Sequence, residues 1–393
     1  MHNGFKLYKT LQNNKPNILI FIDWFKPAYK AGGPIQSAHN IVQQLNADFN
    51  FYVVTSNTDI DGVLHLPDTS LNAWTAKEKY RIIYLDQAHQ TGEMFQSLFR
   101  ERDYAAVYFN SLFSKKFTLL PLRLFRKENT PLILAPRGML GKGALSIKPV
   151  KKHLFLQAIQ LAGWHKKVTW HATAETEKQE IQSHFSKKVK INVAANLSKK
   201  PKDKLAFKPK QENKLQLFFL SRISFKKNLL AAIKALAAVN KRYQIQFSII
   251  GPTEEAAYWE ECSKAIDRLP ENIKVVLLGA QPNHQLQEIL QEQHVLLLPT
   301  RHENFGHVIV ESWQNGCPVI ISDQTPWQDL EKDQTGVALP LKKEEAFTQY
   351  IEQFAAMDQN EFNKWSKSAH TKSLEIANSS TILEKYKQLF SLA

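Results

Sequence analysis

Apolar and polar positions follow one another along this chain in blocks that indicate strands and helices in alternation. Short continuous runs of Val, Ile, Leu and Phe, such as NILIFID at 17–23 and LQLFFLS at 215–221, are typical of strands buried on both faces. Between these runs lie longer stretches with apolar residues three and four positions apart, which is the spacing of amphipathic helices. This order predicts an α/β fold with parallel sheets and crossover helices.

The predicted elements form two successive series. Strands are predicted at 17–23, 49–56, 79–86, 105–110, 131–136, 167–173 and 189–194, and then at 215–221, 244–250, 274–278, 294–299 and 318–322. Helices are predicted at 34–47, 93–102, 115–127, 149–162 and 175–185, and then at 227–240, 254–268, 283–292, 306–315 and 343–356. At 393 residues the chain has room for two domains, because one domain takes roughly 100 to 200 residues.

A change in composition separates the two series. Residues 197–214 contain seven lysines, two prolines and few apolar positions, which predicts an exposed linker. We therefore expect a Rossmann-like domain over residues 1–197, a linker over 198–214 and a second Rossmann-like domain over 215–376. Ligands of open α/β sheets bind beyond the carboxyl ends of the strands, so the two domains are expected to face a central cleft.

The net charge of the chain limits the classes of binding partner that we expect. Lys and Arg number 51 against 37 Asp and Glu, which gives a net charge of +14. This balance favours nucleic acid, an acidic membrane surface or a phosphorylated small molecule, without choosing among them. Hydrophobic residues make up 43% of the chain, which excludes wholesale disorder.

The cysteine content and the lengths of the apolar runs indicate the cellular compartment expected for the protein. The chain has two cysteines, Cys262 and Cys317, without CxxC spacing or a His/Cys cluster. Neither a disulfide framework nor a zinc site is expected, and a reducing, cytoplasmic compartment fits. The first apolar run, 18–22, is far shorter than the roughly 20 residues that span a bilayer, and it lacks a secretory pattern. We therefore expect a protein that is soluble or peripheral to a membrane.

The segment 294–323 carries the most specific signal, a predicted strand followed by a polar loop and a helix. The loop residues at the predicted helix start are Glu303, Asn304, Phe305 and Gly306. A helix start presents unpaired N–H groups that favour phosphate. Glu311 follows Glu303 by eight positions, on the order of 12 Å along a helix. Because the two carboxyls of a retaining glycosidase lie about 5 Å apart, these two acids are expected to do different jobs.

Two further turns present suitable residues where predicted strands end. Arg222 and Lys227 lie in SRISFKKN, where a guanidinium fork and an ammonium would suit a diphosphate. Gly32 and Gly33 follow the first strand, and glycines let the backbone approach a ligand closely. A solvated basic turn and an ordinary glycine turn explain the same residues, so both interpretations stay open.

Arg137 ends the predicted strand PLILAP and would project into the cleft from the opposite wall. The alternative is a structural arginine paired with a nearby carboxylate.

Two basic and apolar stretches, 114–127 and 147–168, also have two interpretations. They would lie as amphipathic helices on an anionic bilayer, or pack on a sheet with their lysines in water.

Taken together, these residues resemble the retaining glycosyltransferases of family 4, which have the two-Rossmann GT-B fold, over nearly the whole chain. The resemblance rests on Gly32-Gly33, on Arg222 with Lys227 five positions on, and on Glu303 with Glu311. It implies sugar transfer from a nucleoside-diphosphate sugar with retained anomeric configuration, without a metal or another cofactor. It also implies that a last helix, 377–393, packs back on the first domain.

The resemblance implies roles for the site residues. Arg222 and Lys227 would hold the donor diphosphate, Glu303 would lie beside the donor sugar, and Glu311 would accept hydrogen bonds from the ribose. The backbone amides that would contact sugar and phosphate are those of Asn304, Phe305 and Gly306.

The chain departs from the family pattern at some positions. Many members carry His-Gly where this chain has Arg137-Gly138, so Arg137 is the candidate catalytic group of the first domain. The glycine that usually precedes the basic turn is Ser221, and the glycine that follows its lysine is Asn228.

We therefore expect a cytoplasmic, metal-independent hexosyltransferase that passes a sugar to a glycan or lipid-linked glycan in surface polysaccharide biosynthesis. Its positive charge suits both a nucleotide sugar and the anionic inner face of the cytoplasmic membrane, and no nucleic acid partner is expected. The alternatives are a nucleotide-sugar epimerase and a non-catalytic basic protein that binds membranes or nucleic acid.

Overall fold

The computed structural model describes residues 15–64, 66, 70–146, 149–202 and 204–391, which form strands and helices in alternation. The strands are β1 (Asn17–Phe21), β2 (Asn50–Ser56), β3 (Thr58–Asp59), β4 (Gly62–Val63), β5 (Thr75–Ala76), β6 (Arg81–Leu85), β7 (Ala106–Phe109), β8 (Leu132–Leu134), β9 (Thr169–Ala172), β10 (Ile191–Val193), β11 (Lys214–Leu220), β12 (Gln244–Ile250), β13 (Ile273–Gly279), β14 (Val295–Leu298), β15 (Val319–Ser322) and β16 (Gly336–Leu339). The helices are α1 (Gly33–Leu45), α2 (Gly92–Arg100), α3 (Leu120–Phe125), α4 (Lys142–Leu145), α5 (Pro149–Leu161), α6 (Glu175–His184), α7 (Leu229–Ala237), α8 (Ala256–Ile266), α9 (Asn283–Gln291), α10 (His307–Gln314), α11 (Glu344–Ala356), α12 (Gln359–Ala377) and α13 (Ser380–Ser391). A π-helical turn, Lys115–Leu119, runs directly into α3. Within these described ranges, no helix combines the length and the apolar character needed to cross a bilayer.

The first domain is built on an eight-stranded sheet in the order β10-β9-β8-β7-β1-β2-β6-β5. Its strands are parallel except for the short edge strand β5. Ile20 of β1 lies opposite Val53 of β2 and Tyr108 of β7, so the strand order reverses at β1. Ligands of such sheets bind at this reversal, where the loops after β1 and β7 begin.

The second domain has a six-stranded, fully parallel sheet in the order β13-β12-β11-β14-β15-β16. Phe218 of β11 pairs with Ser248 of β12 on one side and with Leu296 of β14 on the other. The order therefore reverses between β11 and β14. The loops 221–228 and 299–306 leave these neighbouring strands at the same edge.

The position of α10 is fixed by buried side chains. Ile309 and Trp313 on this helix are fully buried in the second-domain core, together with Leu217 and Phe219 of β11. Leu217 and Phe219 belong to the continuous apolar run 215–221, which predicted a strand covered on both faces. The rigid packing holds the start of α10 against the end of β14.

The two last helices belong to different domains. Helix α12 packs against α10, whereas α13 packs on the first domain. Tyr386 and Phe390 of α13 are buried there, and the ring centroid of Phe390 lies 5.4 Å from that of Phe49. An ion pair of 3.1 Å between Lys387 and Asp48 joins the same surfaces.

The predicted α/β architecture with two Rossmann-like sheets is confirmed, and every predicted strand is present to within a few residues. The hairpin β3–β4, the strands β5 and β16, and the helices α4 and α12 were not predicted from the sequence. A sequence signal for α12 exists. Asp358 and Glu361 form a capping box, in which each side chain accepts from the other residue's backbone N–H.

The expectation of an exposed linker is wrong at Lys208 and Lys210, which are only 4% and 5% exposed. The ammonium of Lys208 donates to the carbonyl of Leu290 at 2.7 Å, and that of Lys210 donates to the carbonyl of Ala355 at 3.0 Å. These carbonyls lie in the last turns of α9 and α11, where the helix dipole favours a cation. Each also accepts from a backbone N–H, that of Gln293 at 3.4 Å and that of Asn213 at 2.8 Å, so the ammonium groups add a further bond.

The chain crosses between the domains at the start of the linker. Gln44 of α1 donates a hydrogen bond to the carbonyl of Ser198. Gln314 of α10 donates to the carbonyl of the next residue, Lys199, at 2.6 Å. Consecutive residues are thus held by different domains.

Candidate active site

The ends of β11 and β14 bring a lysine and a glutamate together. Nζ of Lys227, in the loop after β11, forms an ion pair with Oε2 of Glu303, in the loop after β14. Their side chains are only 13% and 17% exposed. The backbone N–H of Arg301 also donates to the carbonyl of Lys226 at 2.9 Å, which ties the loops together. Two residues 76 positions apart therefore form one largely buried pair.

Glu303 is ionised at neutral pH. Burial alone would raise the pKa of its carboxyl, because the charged form loses contact with water. The ammonium groups of Lys227 and Lys226 outweigh burial and hold the pKa of Glu303 below its ordinary value. The site therefore contains a fixed carboxylate beside two cations.

Arg222 belongs to the same basic loop but has a different partner. Its Nη1 pairs with Oε1 of Glu254, and both side chains are about two fifths exposed. Burial lowers the pKa of Lys226, and the positive charges of Lys227 and Arg222 lower it further. Lys226 thus lies within electrostatic range of both other cations and of Glu303.

Asn228 occupies the position, directly after Lys227, at which the glycosyltransferases that the chain resembles usually have a glycine. Its φ is +60°, the left-handed region that Gly adopts freely and Asn tolerates better than other residues. Its side-chain amide donates to the carbonyl of Pro299 at 2.9 Å, which also connects the loops after β11 and β14. The substitution keeps the backbone shape and adds a hydrogen bond.

The start of α10 requires a glycine. Gly306 has a φ of +77°, and a Cβ there would lie 2.7 Å from Cδ1 of Ile309 and 3.1 Å from Cγ of Glu303. Throughout the described ranges, no acceptor pairs with the backbone N–H groups of Asn304, Phe305 and Gly306. Donors at a helix start suit phosphate or sugar oxygens.

A second acid, Glu311, lies further along α10 in a pocket between the domains. The polar residues that line this pocket include Gln36, Asn40, Ser198, Lys199, His307 and Glu311. Burial raises the pKa of Glu311 to about 7, although Lys26 and Lys199 act against the rise. Glu311 therefore exchanges its proton near neutral pH, whereas Glu303 stays charged.

Two hydrogen bonds cross the cleft at the start of α10. Oγ of Ser37 and Nε2 of His307 lie 2.8 Å apart. The side-chain amide of Asn304 donates to Oγ1 of Thr173 at 2.8 Å. The first domain thus touches the same turn that carries Glu303.

The predicted Gly32-Gly33 turn of the first domain, and Gly138 beside Arg137, also reach the start of α10. A Cβ on Gly33 would lie 3.7 Å from Cδ2 of His307, and a Cβ on Gly138 would lie 3.1 Å from Cβ of Asn304. Gly32 precedes α1 with a φ of +70°. The structure therefore brings the Gly32-Gly33 turn next to the predicted donor-binding residues of the second domain, and their roles toward a ligand stay predictions.

Arg137 is directed into the first domain instead of projecting freely into the cleft. Its guanidinium donates to Oδ1 of Asn110 at 2.8 Å, to the hydroxyl of Tyr108 at 2.6 Å and to Oδ1 of Asn196. These contacts favour the structural alternative, with amide and hydroxyl acceptors in place of the expected carboxylate. A direct catalytic role for Arg137 stays a prediction.

Three residues at the site were not singled out from the sequence. His307 directly follows Gly306, and burial together with Arg137 lowers its pKa to about 4, so the ring is neutral. Lys226 directly precedes Lys227, so its place in the basic turn was a usable signal. Glu180 of α6 lies within electrostatic range of Lys226, and burial raises its pKa to about 7. The segment HATAETEKQEI at 171–181, which contains Glu180, resembles the interdomain approach of family 4 glycosyltransferases, so the sequence held a signal for this contact.

No group of three or more His, Cys, Asp or Glu side chains in the described parts of the chain is arranged to hold a metal ion. The described acids of the site instead contact lysine, as Glu303 does, or lie within range of it, as Glu311 does. Metal independence itself stays a prediction.

Comparison with known proteins supports a glycosyltransferase. Residues 201–372 match the model of the family "Glycosyl transferases group 1". A GDP-mannose:cellobiosyl-diphosphopolyprenol alpha-mannosyltransferase from Xanthomonas oryzae pv. oryzae is 28% identical over 148 residues, which are 37% of this chain and 39% of that enzyme. The chain thus matches less than two fifths of the length of its curated relatives.

Solved structures share the fold over almost the whole chain. Sucrose-phosphate synthase from Thermosynechococcus elongatus has a TM-score of 0.70 at 16% identity, with 96% of this chain and 100% of that chain covered. HepE from Anabaena has a TM-score of 0.67 at 14% identity with the same coverage. Such low identities show the fold alone, and the predicted GT-B fold is confirmed. The fold and the family match together support a GT-B glycosyltransferase.

Proposed function

We propose that the protein is a retaining hexosyltransferase of family 4 that moves a sugar from a nucleoside-diphosphate sugar to a glycan or lipid-linked glycan. The observation that carries the proposal is the Lys227–Glu303 ion pair beside the start of α10. It combines a fixed cation, a fixed carboxylate and unpaired backbone N–H groups at one edge of the sheet. This combination suits a donor with an anionic diphosphate and a sugar that becomes cationic during transfer.

During the proposed reaction, negative charge develops on the diphosphate and positive charge on the sugar, close to side chains of opposite charge. As the bond between sugar and diphosphate breaks, negative charge grows on the diphosphate, and Lys227, Lys226 and Arg222 would stabilise it together with the α10 amides. Ionised Glu303 would stabilise the positive charge on the anomeric carbon. If the acceptor hydroxyl attacks from the face that the diphosphate leaves, the anomeric configuration is retained. The departing phosphate oxygen then takes the hydroxyl proton.

The pocket around Glu311 supports a place for the nucleoside. A carboxyl group can accept hydrogen bonds from two neighbouring ribose hydroxyls. The side-chain amides of Gln36 and Asn40 line the same pocket and offer both donors and acceptors. The diphosphate would then extend from this pocket toward Lys227 at the start of α10.

Relatives support the substrate classes. The name of the Xanthomonas relative gives GDP-mannose as donor and cellobiosyl-diphosphopolyprenol as acceptor, and the Anabaena structure holds UDP and glucose. For this chain we propose a nucleotide sugar and a lipid-linked glycan, used on the cytoplasmic side in surface polysaccharide biosynthesis. Three cations at the diphosphate position would allow transfer without a metal or another cofactor, and activity in excess chelator tests this.

Calorimetric titration with UDP, GDP and ADP tests the proposal. At least one of them should bind the wild-type protein. Lys227→Ala should weaken that binding roughly tenfold to a hundredfold, because a charge-assisted contact to phosphate is lost. Lys264→Ala removes an exposed lysine that pairs with Glu260 on α8, and this matched control should bind like wild type.

Two outcomes would contradict the assignment. Unchanged affinity in Lys227→Ala would show that the pair with Glu303 does not serve a diphosphate. Release of free nucleotide and an epimerised sugar without any acceptor would indicate a nucleotide-sugar epimerase instead.

A further inference from the structure

One helix of the first domain exposes a row of apolar side chains. Val150, Leu154 and Leu161 of α5 are 70%, 61% and 90% exposed, and we call them the α5 face. At 3.6 residues per turn they lie within about 40° of one another around the helix axis. Leu156 and Ile159, on the other side of the helix, are buried in the first-domain core. Helix α5 is therefore apolar on two sides, and only one of them is covered.

A row of this kind differs from ordinary surface exposure. Single exposed apolar residues are normal, whereas a contiguous group marks a binding surface. Elsewhere in the described residues, the exposed large apolar side chains are Ile60 and Val63 at the β3–β4 hairpin, Leu71, Phe207, Phe225 and Leu277. Among the described elements, α5 carries the largest group, three such side chains on one side of one helix.

The surroundings of the α5 face are basic. Over residues 104–174 the chain has one acidic residue, Glu128. Lys151 on α5 is exposed, and so are Lys166 and Lys167, which follow the helix. A partner of this surface therefore gains from negative charge.

A second basic element lies beside α5. The ring centroids of Phe113 and Phe155 are 5.0 Å apart, and the Arg126 guanidinium lies 5.7 Å from the ring centroid of Trp164. These contacts place the π-helical turn and α3 alongside α5. Exposed cations on this neighbouring element are Lys115, Arg123 and Lys127. The two basic and apolar stretches of the sequence thus meet in one region of the first domain.

We propose that the α5 face and its surrounding lysines dock the protein onto a bilayer that contains anionic lipid. The apolar side chains enter the boundary of the acyl region, and the lysines contact the headgroups. A bilayer supplies an apolar layer and a negative surface together, whereas one row on a single helix is small for a stable protein interface. The surface is separate from the cleft and does not depend on which sugar is transferred.

Cosedimentation with lipid vesicles tests the proposal. Wild-type protein should bind vesicles of phosphatidylcholine with phosphatidylglycerol, should bind pure phosphatidylcholine far more weakly, and should be released by salt. Lys166→Gln/Lys167→Gln should lower the vesicle partition roughly 25-fold, because each lysine near an anionic surface contributes about fivefold. Leu154→Ser/Leu161→Ser should lower it by a similar or larger factor.

Matched controls use the second domain. Leu277→Ser removes a leucine that is 56% exposed on β13, and Lys342→Gln/Lys343→Gln removes two adjacent exposed lysines. Both should bind vesicles like wild type, and thermal melting should show that every variant folds. Equal binding of folded α5 variants and wild type, or equal binding to neutral vesicles, would overturn the proposal. A dimer in analytical ultracentrifugation that the α5 variants abolish would also overturn it, since a second copy would then be the partner.

Discussion

The acid before α10 and the acid within it have opposite character. Just before the helix, Glu303 is kept ionised by the ammonium groups of Lys227 and Lys226. Within the helix, burial raises the pKa of Glu311 to about 7. Both acids lie between the domains, but Glu303 has a lysine in direct contact and Glu311 has lysines only at a distance. Direct ion pairing therefore decides which of the two carries a permanent charge.

The largest effect is expected from removing the permanent charge. Glu303→Gln should lower kcat roughly a hundredfold to a thousandfold, because a preorganised charge that stabilises the transition state is lost. Nucleotide affinity should stay the same or rise, since Lys227 would be released toward the diphosphate. Steady-state kinetics and calorimetry measure the two quantities separately. Glu260→Gln on α8 is the matched control, and parallel loss of kcat and affinity in Glu303→Gln would assign Glu303 to binding or folding.

A smaller effect on affinity is expected at the other acid. Glu311→Gln should weaken nucleoside diphosphate binding about tenfold, because hydrogen bonds from ribose hydroxyls to a carboxylate are lost. Wild-type protein should lose a similar factor with the 2′,3′-dideoxy nucleotide, and the variant should lose little more. Calorimetric titration of both proteins with both ligands forms a double cycle. Additive losses would show that Glu311 does not contact the ribose.

The raised pKa of Glu311 also predicts how stability depends on pH. The folded protein keeps a proton up to about pH 7 that the unfolded chain releases above 4.5. The stabilisation is complete below 4.5 and is lost as pH rises through about 7. Wild-type Tm should therefore fall between about pH 5 and about pH 8 relative to Glu311→Gln. Glu180, whose pKa is also raised to about 7, acts in the same direction, so Glu180→Gln/Glu311→Gln should depend least on pH.

The last effect concerns stability and is expected beside the Lys227–Glu303 pair. Asn228→Ala should lower the free energy of unfolding by about 1 to 3 kcal/mol, because Ala is strained at a φ of +60° and the bond to Pro299 is lost. Asn228→Gly removes that bond without the strain and should cost about 1 kcal/mol or less. Urea unfolding compares the three proteins. Greater stability of the Ala variant than of the Gly variant would contradict the backbone argument.

Much of the site was predictable because it lies where strands end. The apolar runs located β11 and β14, and the charged loops after them contain Lys227 and Glu303. That these loops adjoin depends on β11 and β14 being neighbours, which no local pattern encodes. The resemblance to a known family supplied this part of the prediction.

Other contacts depend on several distant segments at once. The direction of Arg137 is set by Tyr108, Asn110 and Asn196, which meet only in the folded first domain. Lys208 looked like a solvated linker residue because its acceptors at the end of α9 exist only once that helix is in place. Composition predicts the polarity of such residues but not their partners.

The two crossings between the domains determine where the molecule can bend. Ser198 is bonded to the first domain and Lys199 to the second, and Asn378 ends α12 just before α13 returns to the first domain. We expect hinge rotation about a line through these two places. That rotation would separate Ser37 from His307, so we expect this bond to open when the nucleotide of the proposed reaction enters or leaves. The rate of product release would then depend on how easily the few residues at each of these two crossings bend.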